Sequence, residues 1–169
     1  ALGERIMVST WPYDFKGIYG YRNFAIQDRE GNYLVKANSI WFFYDTGQQR
    51  PVRAQKSDIE GYGKPEMRLD MDYAPRRIAL PDSYEEQEGI MVTRHHLDTN
   101  HHVNNAQYIE IARGLLPGNI TVRELRAEYK KAAALGDRMI PRITKTGEGY
   151  VISLCDGQGG AYAVIMLRE

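Results

Sequence analysis

All four histidines of this chain lie between positions 95 and 102. Three polar residues alternate within and just after that cluster, namely Asp98, Asn100 and His102. Alternate residues of an extended segment point to one side, so a carboxylate, an amide and an imidazole would meet there. Together these groups can orient a water molecule and move a proton. The spacing therefore predicts a site of acid–base chemistry.

The residues that follow predict a helix over 104–116, because apolar side chains recur there at helical spacing. Asn104 and Asn105 are favourable residues for the start of a helix, and Pro117-Gly118 ends it. A helix N-terminus presents unpaired N–H groups and the positive end of the helix dipole, which stabilise a developing oxyanion. Asn104 and Asn105 are therefore the candidate oxyanion-binding residues.

The segment 95–105 allows two other interpretations. The first is a metal site, which paired histidines beside Asp98 suggest. Zinc ligands, however, have defined separations and usually include cysteines or a glutamate motif, and this segment has neither. We expect no metal and no cofactor. A polar loop with asparagine caps and no function is the second alternative. The density of titratable groups at a helix start favours the functional interpretation.

The surrounding elements form an α+β pattern. A strand over 90–96 precedes the helix, and four strands follow it, over 120–134, 138–144, 150–155 and 161–167. The first half of the chain predicts a β-meander over 5–15, 19–27 and 33–44. One antiparallel sheet that wraps around an apolar helix is the arrangement of the hot-dog fold.

A short repeat indicates an internal duplication, with chance similarity as the alternative. Leu135-Gly136-Asp137-Arg138 resembles Leu2-Gly3-Glu4-Arg5, and the same order of strands follows each segment. We therefore expect tandem units: a partial N-terminal unit of three strands over 1–57, a linker over 58–88 and a complete C-terminal unit over 89–169.

By analogy with the second copy, we expect the N-terminal unit to lack its first strand and helix in this chain, about 46 residues. Without that helix, Trp41 and Phe43 of the third predicted strand would be partly uncovered.

Composition limits the partners. The chain has 169 residues, with 22 Lys+Arg and 22 Asp+Glu, and the zero net charge argues against nucleic acid or an anionic membrane. No apolar run approaches the length of a membrane span. The single cysteine, Cys155, cannot form an internal disulfide, so we expect a core role for it and a cytoplasmic location for the protein.

The segment 97–109 carries a specific resemblance. It reads Leu-Asp-Thr-Asn-His-His-Val-Asn-Asn-Ala-Gln-Tyr-Ile. This is similar to Asp-x-Asn-x-His-Val-Asn-Asn followed by Tyr-Ile, the motif of the bacterial type of the acyl-acyl-carrier-protein (acyl-ACP) thioesterase family. Ser39-Ile40-Trp41 with Asp45 and Arg50-Pro51-Val52 resembles the end of that family's N-terminal unit. The resemblance covers nearly the whole chain and implies tandem hot-dog units that hydrolyse fatty acyl-ACP to free fatty acid and carrier protein.

The same resemblance implies roles for single residues. The family's catalytic carboxylate, amide and imidazole fall on Asp98, Asn100 and His102. Asp98 would orient its neighbours, while Asn100 and His102 would polarise the carbonyl group and the attacking water. The N–H groups near Asn104 and Asn105 would hold the oxyanion. His101 occupies the variable position of the motif and is expected to be a bystander, and two histidines precede the motif unmatched: His95 and His96.

One position departs from the family pattern. The family usually has a glutamate four residues before its Gly-Asp pair, and Ala132 stands at that position before Gly136-Asp137. Glu128 shares the predicted strand face but lies four residues away, which is about 13 Å at 3.3 Å per residue. Either Asp98 and His102 suffice, another acid substitutes, or activity is weak.

An acidic carrier protein would dock on a basic surface, for which Lys130, Lys131 and Arg94 are the candidates. Two alternatives stay open. One is a hot-dog acyl-CoA thioesterase, and the other is a module that binds an acyl thioester without cleaving it, which Ala132 favours. We expect a monomer or a homodimer, with no nucleic-acid or membrane partner.

Overall fold

A computed structural model describes residues 3–169, so Leu2 of the repeat lies outside the described residues. The chain divides into two compact units, one up to Ala74 and one from Pro75. The first unit contains β1 (Met7–Lys16), β2 (Tyr19–Gln27), β3 (Tyr33–Asp45), β4 (Arg50–Val52) and α1 (Lys56–Glu60). The second contains β5 (Glu85–Glu86), β6 (Ile90–Met91), a 3₁₀ helix (Arg94–His96), α2 (Asn105–Gly114), β7 (Glu124–Tyr129), β8 (Arg138–Thr146), β9 (Gly149–Cys155) and β10 (Ala161–Arg168).

The first unit is an antiparallel meander in the order β1-β2-β3-β4. Its first three strands confirm the predicted ones. The fourth strand and α1 were not predicted, because the sequence after β3 is polar. The side chain of Asp45 accepts hydrogen bonds from the N–H groups of Gly47 and Gln48, both at 2.8 Å. This turn folds the chain back so that Val52 pairs with Phe43.

One face of this sheet contacts residues from the predicted linker. Asn23 of β2 is fully buried and accepts a hydrogen bond from the N–H of Leu69 at 3.0 Å. Its amide also donates to the hydroxyl of Tyr73 at 2.9 Å, and Trp11 donates to the carbonyl of Met67 at 3.0 Å. The expected linker over 58–88 therefore differs from the division at Ala74. The hydrogen bonds that hold residues 67–73 against the sheet could not be predicted, because no apolar periodicity marks this segment.

The opposite face of the first sheet is apolar and exposed. Val8, Ile26 and Val35 are direct cross-strand partners, and Trp41 lies on the same face of β3. Val8 exposes 66% of its surface and Trp41 exposes 56%. Phe43 is half-buried. The predicted exposure of apolar groups around Trp41 is thus observed.

The second unit packs α2 against an antiparallel sheet in the order β5-β8-β9-β10-β7, with β6 paired to β8. Tyr108 and Ala112, one helical turn apart, are buried in the same apolar cluster as Ile152 and Ile165. The helix starts as predicted but ends at Gly114, and its outer side is exposed. The α+β architecture is therefore confirmed, with the sheet covering one side of the helix.

Two predicted strands are shorter than expected. The strand predicted over 90–96 is β6 followed by the 3₁₀ helix, and the strand predicted over 120–134 ends with β7 at Tyr129. The N–H groups of Lys130 and Lys131 both donate to the carbonyl of Tyr162, at 2.8 and 3.3 Å. Two consecutive residues opposite a single residue of the neighbouring strand form a β-bulge, which interrupts the regular strand pairing. The chain then leaves the sheet.

Cys155 is buried at the end of β9, as predicted for a core residue. None of the helices in the described part of the chain has the length and apolar character needed to cross a membrane.

The turn between β8 and β9 offers a matched test of the second unit. A Cβ atom at Gly149, which has φ +150°, would lie 2.1 Å from the carbonyl oxygen of Leu167, whereas a Cβ at Gly147 would meet open space. We expect Gly149→Ala to lower the free energy of unfolding by at least about 2 kcal/mol, because β10 must shift. Gly147→Ala should change it by less than about 1 kcal/mol. Urea denaturation measures both, and equal losses would contradict the packing described.

Candidate active site

The site loop comprises residues 97–103. One antiparallel bridge between Leu97 and Val103 joins its two ends. The N–H of Asp98 donates to the carbonyl of His102 at 2.8 Å, and the N–H of His101 donates to the carbonyl of Asp98 at 3.1 Å. The loop is therefore a tight closed turn. The expectation that this segment is extended is wrong.

The side chain of Asp98 explains the turn. Its Oδ1 accepts hydrogen bonds from the N–H groups of Asn100, at 2.8 Å, and His102, at 3.4 Å. Aspartate competes with extended structure in this way. His101 has φ +62°, a left-handed backbone that costs energy in residues other than glycine. The half-buried carboxylate thus sets the backbone that carries Asn100 and His102, whose side chains are exposed.

The start of α2 lies directly after the site loop. Asn104 is the N-cap, and its Oδ1 accepts a hydrogen bond from the N–H of Ala106 at 2.9 Å. The N–H of Asn105, at the first helical position, has no acceptor within the helix by helix geometry. This donor and the helix dipole favour negative charge beside the site loop.

The segment 130–134 is hydrogen-bonded to the site loop. The carbonyl of Ala133 accepts a hydrogen bond from the N–H of Val103 at 2.9 Å, and Ala134 forms a bridge with His102. Ala132, the position of the departure from the family pattern, precedes these two residues and is exposed. The residue that replaces the expected glutamate therefore belongs to a segment in contact with the site.

Two tyrosines join α2 to the chain after β7. The hydroxyl of Tyr108 accepts a hydrogen bond from the N–H of Ala133 at 2.9 Å, and that of Tyr129 donates to the carbonyl of Asn105 at 3.1 Å. Their ring centroids lie 5.9 Å apart. Burial raises the pKa of both hydroxyls, so both stay protonated at neutral pH.

Two carboxylates on either side of Ala132 accept hydrogen bonds from the chain. Glu128 accepts hydrogen bonds from the N–H of Ile78 at 3.1 Å and from Lys130 at 3.2 Å. Asp137 accepts one from the N–H of Ala134 at 2.9 Å. Both carboxylates hold backbone segments in place.

The expected docking lysines are bound to acids of their own chain. Lys130 pairs with Glu128, while Lys131 pairs with Asp156 and lies 4.5 Å from the centroid of the Tyr162 ring. The hydrogen bond that Lys131 donates to the carboxylate of Asp156 raises the pKa of Lys131. Arg94, in the 3₁₀ helix just before the site loop, is exposed.

The geometry shows positions that the motif did not reveal. Thr93 and His96 lie just before the site loop and are hydrogen-bonded to each other, and the hydroxyl of Tyr129 joins β7 to the first residue of α2. A threonine three residues before a polar side chain was the available signal, since this is the spacing of a capping box. Within residues 3–169, His, Cys, Asp and Glu side chains form no group of three or more that could hold a metal ion.

Comparison with known proteins now defines the class. The family model described as the acyl-ACP thioesterase N-terminal domain matches residues 1–62, and that of the C-terminal domain matches residues 80–158. The chain belongs to the acyl-ACP thioesterase family. Membership makes it a thioester hydrolase that acts on acyl-ACP.

Two solved structures share the fold. An acyl-ACP thioesterase from Bacteroides thetaiotaomicron has a TM-score of 0.84 at 18% identity, over 98% of this chain and 68% of that one. The 12:0-ACP thioesterase from Umbellularia californica has a TM-score of 0.83 at 20% identity, over 98% and 68%. A comparison with curated protein sequences gives no match.

The two tyrosines allow the attachment of the site to be tested. Tyr108→Phe leaves the buried N–H of Ala133 without its acceptor, so we expect a loss of about 1–3 kcal/mol in the free energy of unfolding. Tyr129→Phe removes a more exposed hydroxyl and should cost less than about 1 kcal/mol. Urea denaturation compares the two, and amide exchange at Ala133 should accelerate only in Tyr108→Phe. Unchanged exchange at Ala133 would refute this attachment.

Proposed function

We propose that the site loop carries out acyl-ACP hydrolysis with Asp98, Asn100 and His102 as its functional residues. The observation that supports this is the hydrogen-bonded unit formed by the loop, the start of α2 and the segment 130–134. It holds an imidazole and an amide, both exposed, beside the N-terminus of a helix. Hydrolysis of a thioester needs this combination of a group that accepts a proton and groups that donate hydrogen bonds to the oxyanion.

In this mechanism the thioester carbonyl oxygen lies at the start of α2. The side-chain amide of Asn100 and the N–H of Asn105 donate hydrogen bonds to it, and these strengthen as negative charge develops. His102 accepts a proton from a water molecule, whose oxygen attacks the carbonyl carbon. The carbon–sulfur bond then breaks, and the departing thiolate receives the proton from His102. The products are a free fatty acid and the thiol of the carrier protein.

The exposed alanine at position 132 makes His102 the base in this proposal. Glu128 and Asp137 are committed to backbone N–H groups, so neither supplies the missing carboxylate. A neutral imidazole is required to accept the proton, and acid therefore lowers the rate. Asp98 acts through the backbone of the site loop, since its Oδ1 accepts the N–H groups of Asn100 and His102.

Ala132 also favours a second candidate function, the binding of an acyl thioester without cleavage. A general base typically contributes about 10²–10⁴-fold to the rate. A site without its usual carboxylate fits slow turnover or storage of the thioester. Measured turnover separates the two functions, and competition by acyl-CoA tests the remaining alternative of a nucleotide-carrying substrate.

The wider setting of the reaction follows from its chemistry. Release of free fatty acid from a carrier protein would place the chain in fatty acid biosynthesis in the cytoplasm, as a monomer or homodimer with tandem hot-dog units. Arg94 fits the docking of an acidic carrier better than Lys130 and Lys131, because both lysines already pair with acids of the chain.

The proposed roles are tested by turnover of a fatty acyl-ACP thioester. We expect His102→Ala to lower kcat by at least about 100-fold, because it removes the base. Asp98→Ala should also lower kcat strongly, since the loop loses the acceptor for two N–H groups. His101→Asn is the matched control within the loop, because asparagine tolerates the left-handed backbone, and it should keep the rate.

Three outcomes decide between the functions. Equal rates for wild type and His102→Ala would refute the role of His102. Saturable binding of acyl-ACP without wild-type turnover would favour the binding module. Faster hydrolysis of acyl-CoA than of acyl-ACP, with competition in the same order, would favour the acyl-CoA enzyme.

A further inference from the structure

A histidine outside the motif is built into the base of the site loop. His96 ends the 3₁₀ helix and exposes only 8% of its surface. Its Nδ1 accepts a hydrogen bond from the N–H of Thr93 at 3.0 Å. An acceptor nitrogen carries no proton, so this contact requires the neutral ring with its proton on Nε2.

The backbone of the same residue holds both ends of the site. The N–H of His96 donates to the carbonyl of Thr93 at 3.1 Å, and its own carbonyl accepts a hydrogen bond from the N–H of Asn104 at 2.9 Å. Asn104 is the N-cap of α2. Position 96 therefore joins the entry of the site loop to the first turn of the helix.

We propose that neutral His96 is a positioning residue, which through Thr93 and Asn104 holds the site loop against the start of α2, and that its protonation releases this connection. A proton on Nδ1 would face the N–H of Thr93, so two donors would meet where one donor and one acceptor now lie. The effect on catalysis rests on the proposed function. The effect on the loop does not.

The surroundings of His96 oppose its charged form. Burial lowers the pKa of His96, and the neighbouring His95, whose ring centroid lies 4.1 Å away, lowers it further. Within the described residues, His95 is the one titratable group that acts on this ring, and its contacts from Thr93 and Asn104 are uncharged.

The sign of the pH dependence follows from this lowered pKa. The unfolded chain binds the proton at the ordinary value of about 6.5. The contribution of His96 to stability is therefore complete above about pH 6.5. It is lost as the pH falls from there through the lower pKa of the folded state.

Two substitutions at position 96 separate its acceptor from its titration. In His96→Asn, the side-chain oxygen can accept the N–H of Thr93 but does not titrate. In His96→Leu, the side chain stays apolar and buried, and the acceptor is lost. His95→Asn is the matched control, because it removes the neighbouring charge and leaves the His96 ring in place.

The direct readout is amide exchange at Asn104, corrected for the pH dependence of intrinsic exchange. In the wild-type chain, we expect protection to fall as the pH drops below about 6.5. Protection of Asn104 should be independent of pH in His96→Asn. In His96→Leu it should be at least about tenfold lower than in His96→Asn at every pH. In His95→Asn the loss should be smaller and should end at higher pH, because the pKa of His96 in the folded chain then lies closer to that of the unfolded chain.

Turnover provides the second readout. If the chain hydrolyses acyl-ACP, His96→Asn should restore most of the kcat lost in His96→Leu and move the acid limb of the kcat profile. A wild-type chain without turnover refutes the proposed function, and the exchange data then decide the role of His96 alone.

Two results would overturn the proposal. One is the same pH dependence of Asn104 exchange in His96→Asn as in the wild type. The other is a neutral His96 ring protonated on Nδ1, as seen by nitrogen NMR of the imidazole.

Discussion

The site depends on the backbone of one buried alanine. Ala133 accepts a hydrogen bond from the N–H of Val103 in the site loop and donates one to the hydroxyl of Tyr108 in α2, both at 2.9 Å. It is fully buried, so neither bond is replaced by water at low cost. Through this residue the loop, the helix and the chain after β7 have fixed relative positions.

This way of building a site leaves its side chains available for chemistry. The site loop is closed by backbone hydrogen bonds and by the carboxylate of Asp98, so Asn100 and His102 are not needed to hold it together. Their side chains are exposed, as is that of Ala132. A change at these positions can therefore alter the reaction with little effect on the fold.

The sequence predicted the elements of the second unit well, because apolar periodicity and an asparagine cap are local signals. Asn104 is the N-cap of α2, and the last three strands, β8, β9 and β10, lie where alternation placed them. The motif also identified the residues of the site loop. It did not predict the shape of that loop, because the turn depends on the side chain of Asp98 bonding to its own backbone.

Features that depend on long-range polar contacts could not be predicted. Asn23 anchors a segment 46 residues further along the chain, and no periodic pattern marks such a contact. The early end of β7 is a second example, because it depends on two N–H groups, those of Lys130 and Lys131, that donate to the one carbonyl of Tyr162. His96 is the clearest case, because it is buried while its neighbour His95 is exposed, and no sequence pattern separates the two.

The central claim is that this site hydrolyses thioesters with His102 as base, because position 132 carries no carboxylate. The most direct measurement is kcat for a fatty acyl-ACP thioester with Ala132→Glu and, as its uncharged control, Ala132→Gln. Both variants should first be shown to unfold as the wild type does. The account predicts a higher kcat in Ala132→Glu alone, with little change in KM, because activation of water acts in the transition state. Fast wild-type turnover with no gain in Ala132→Glu would contradict it.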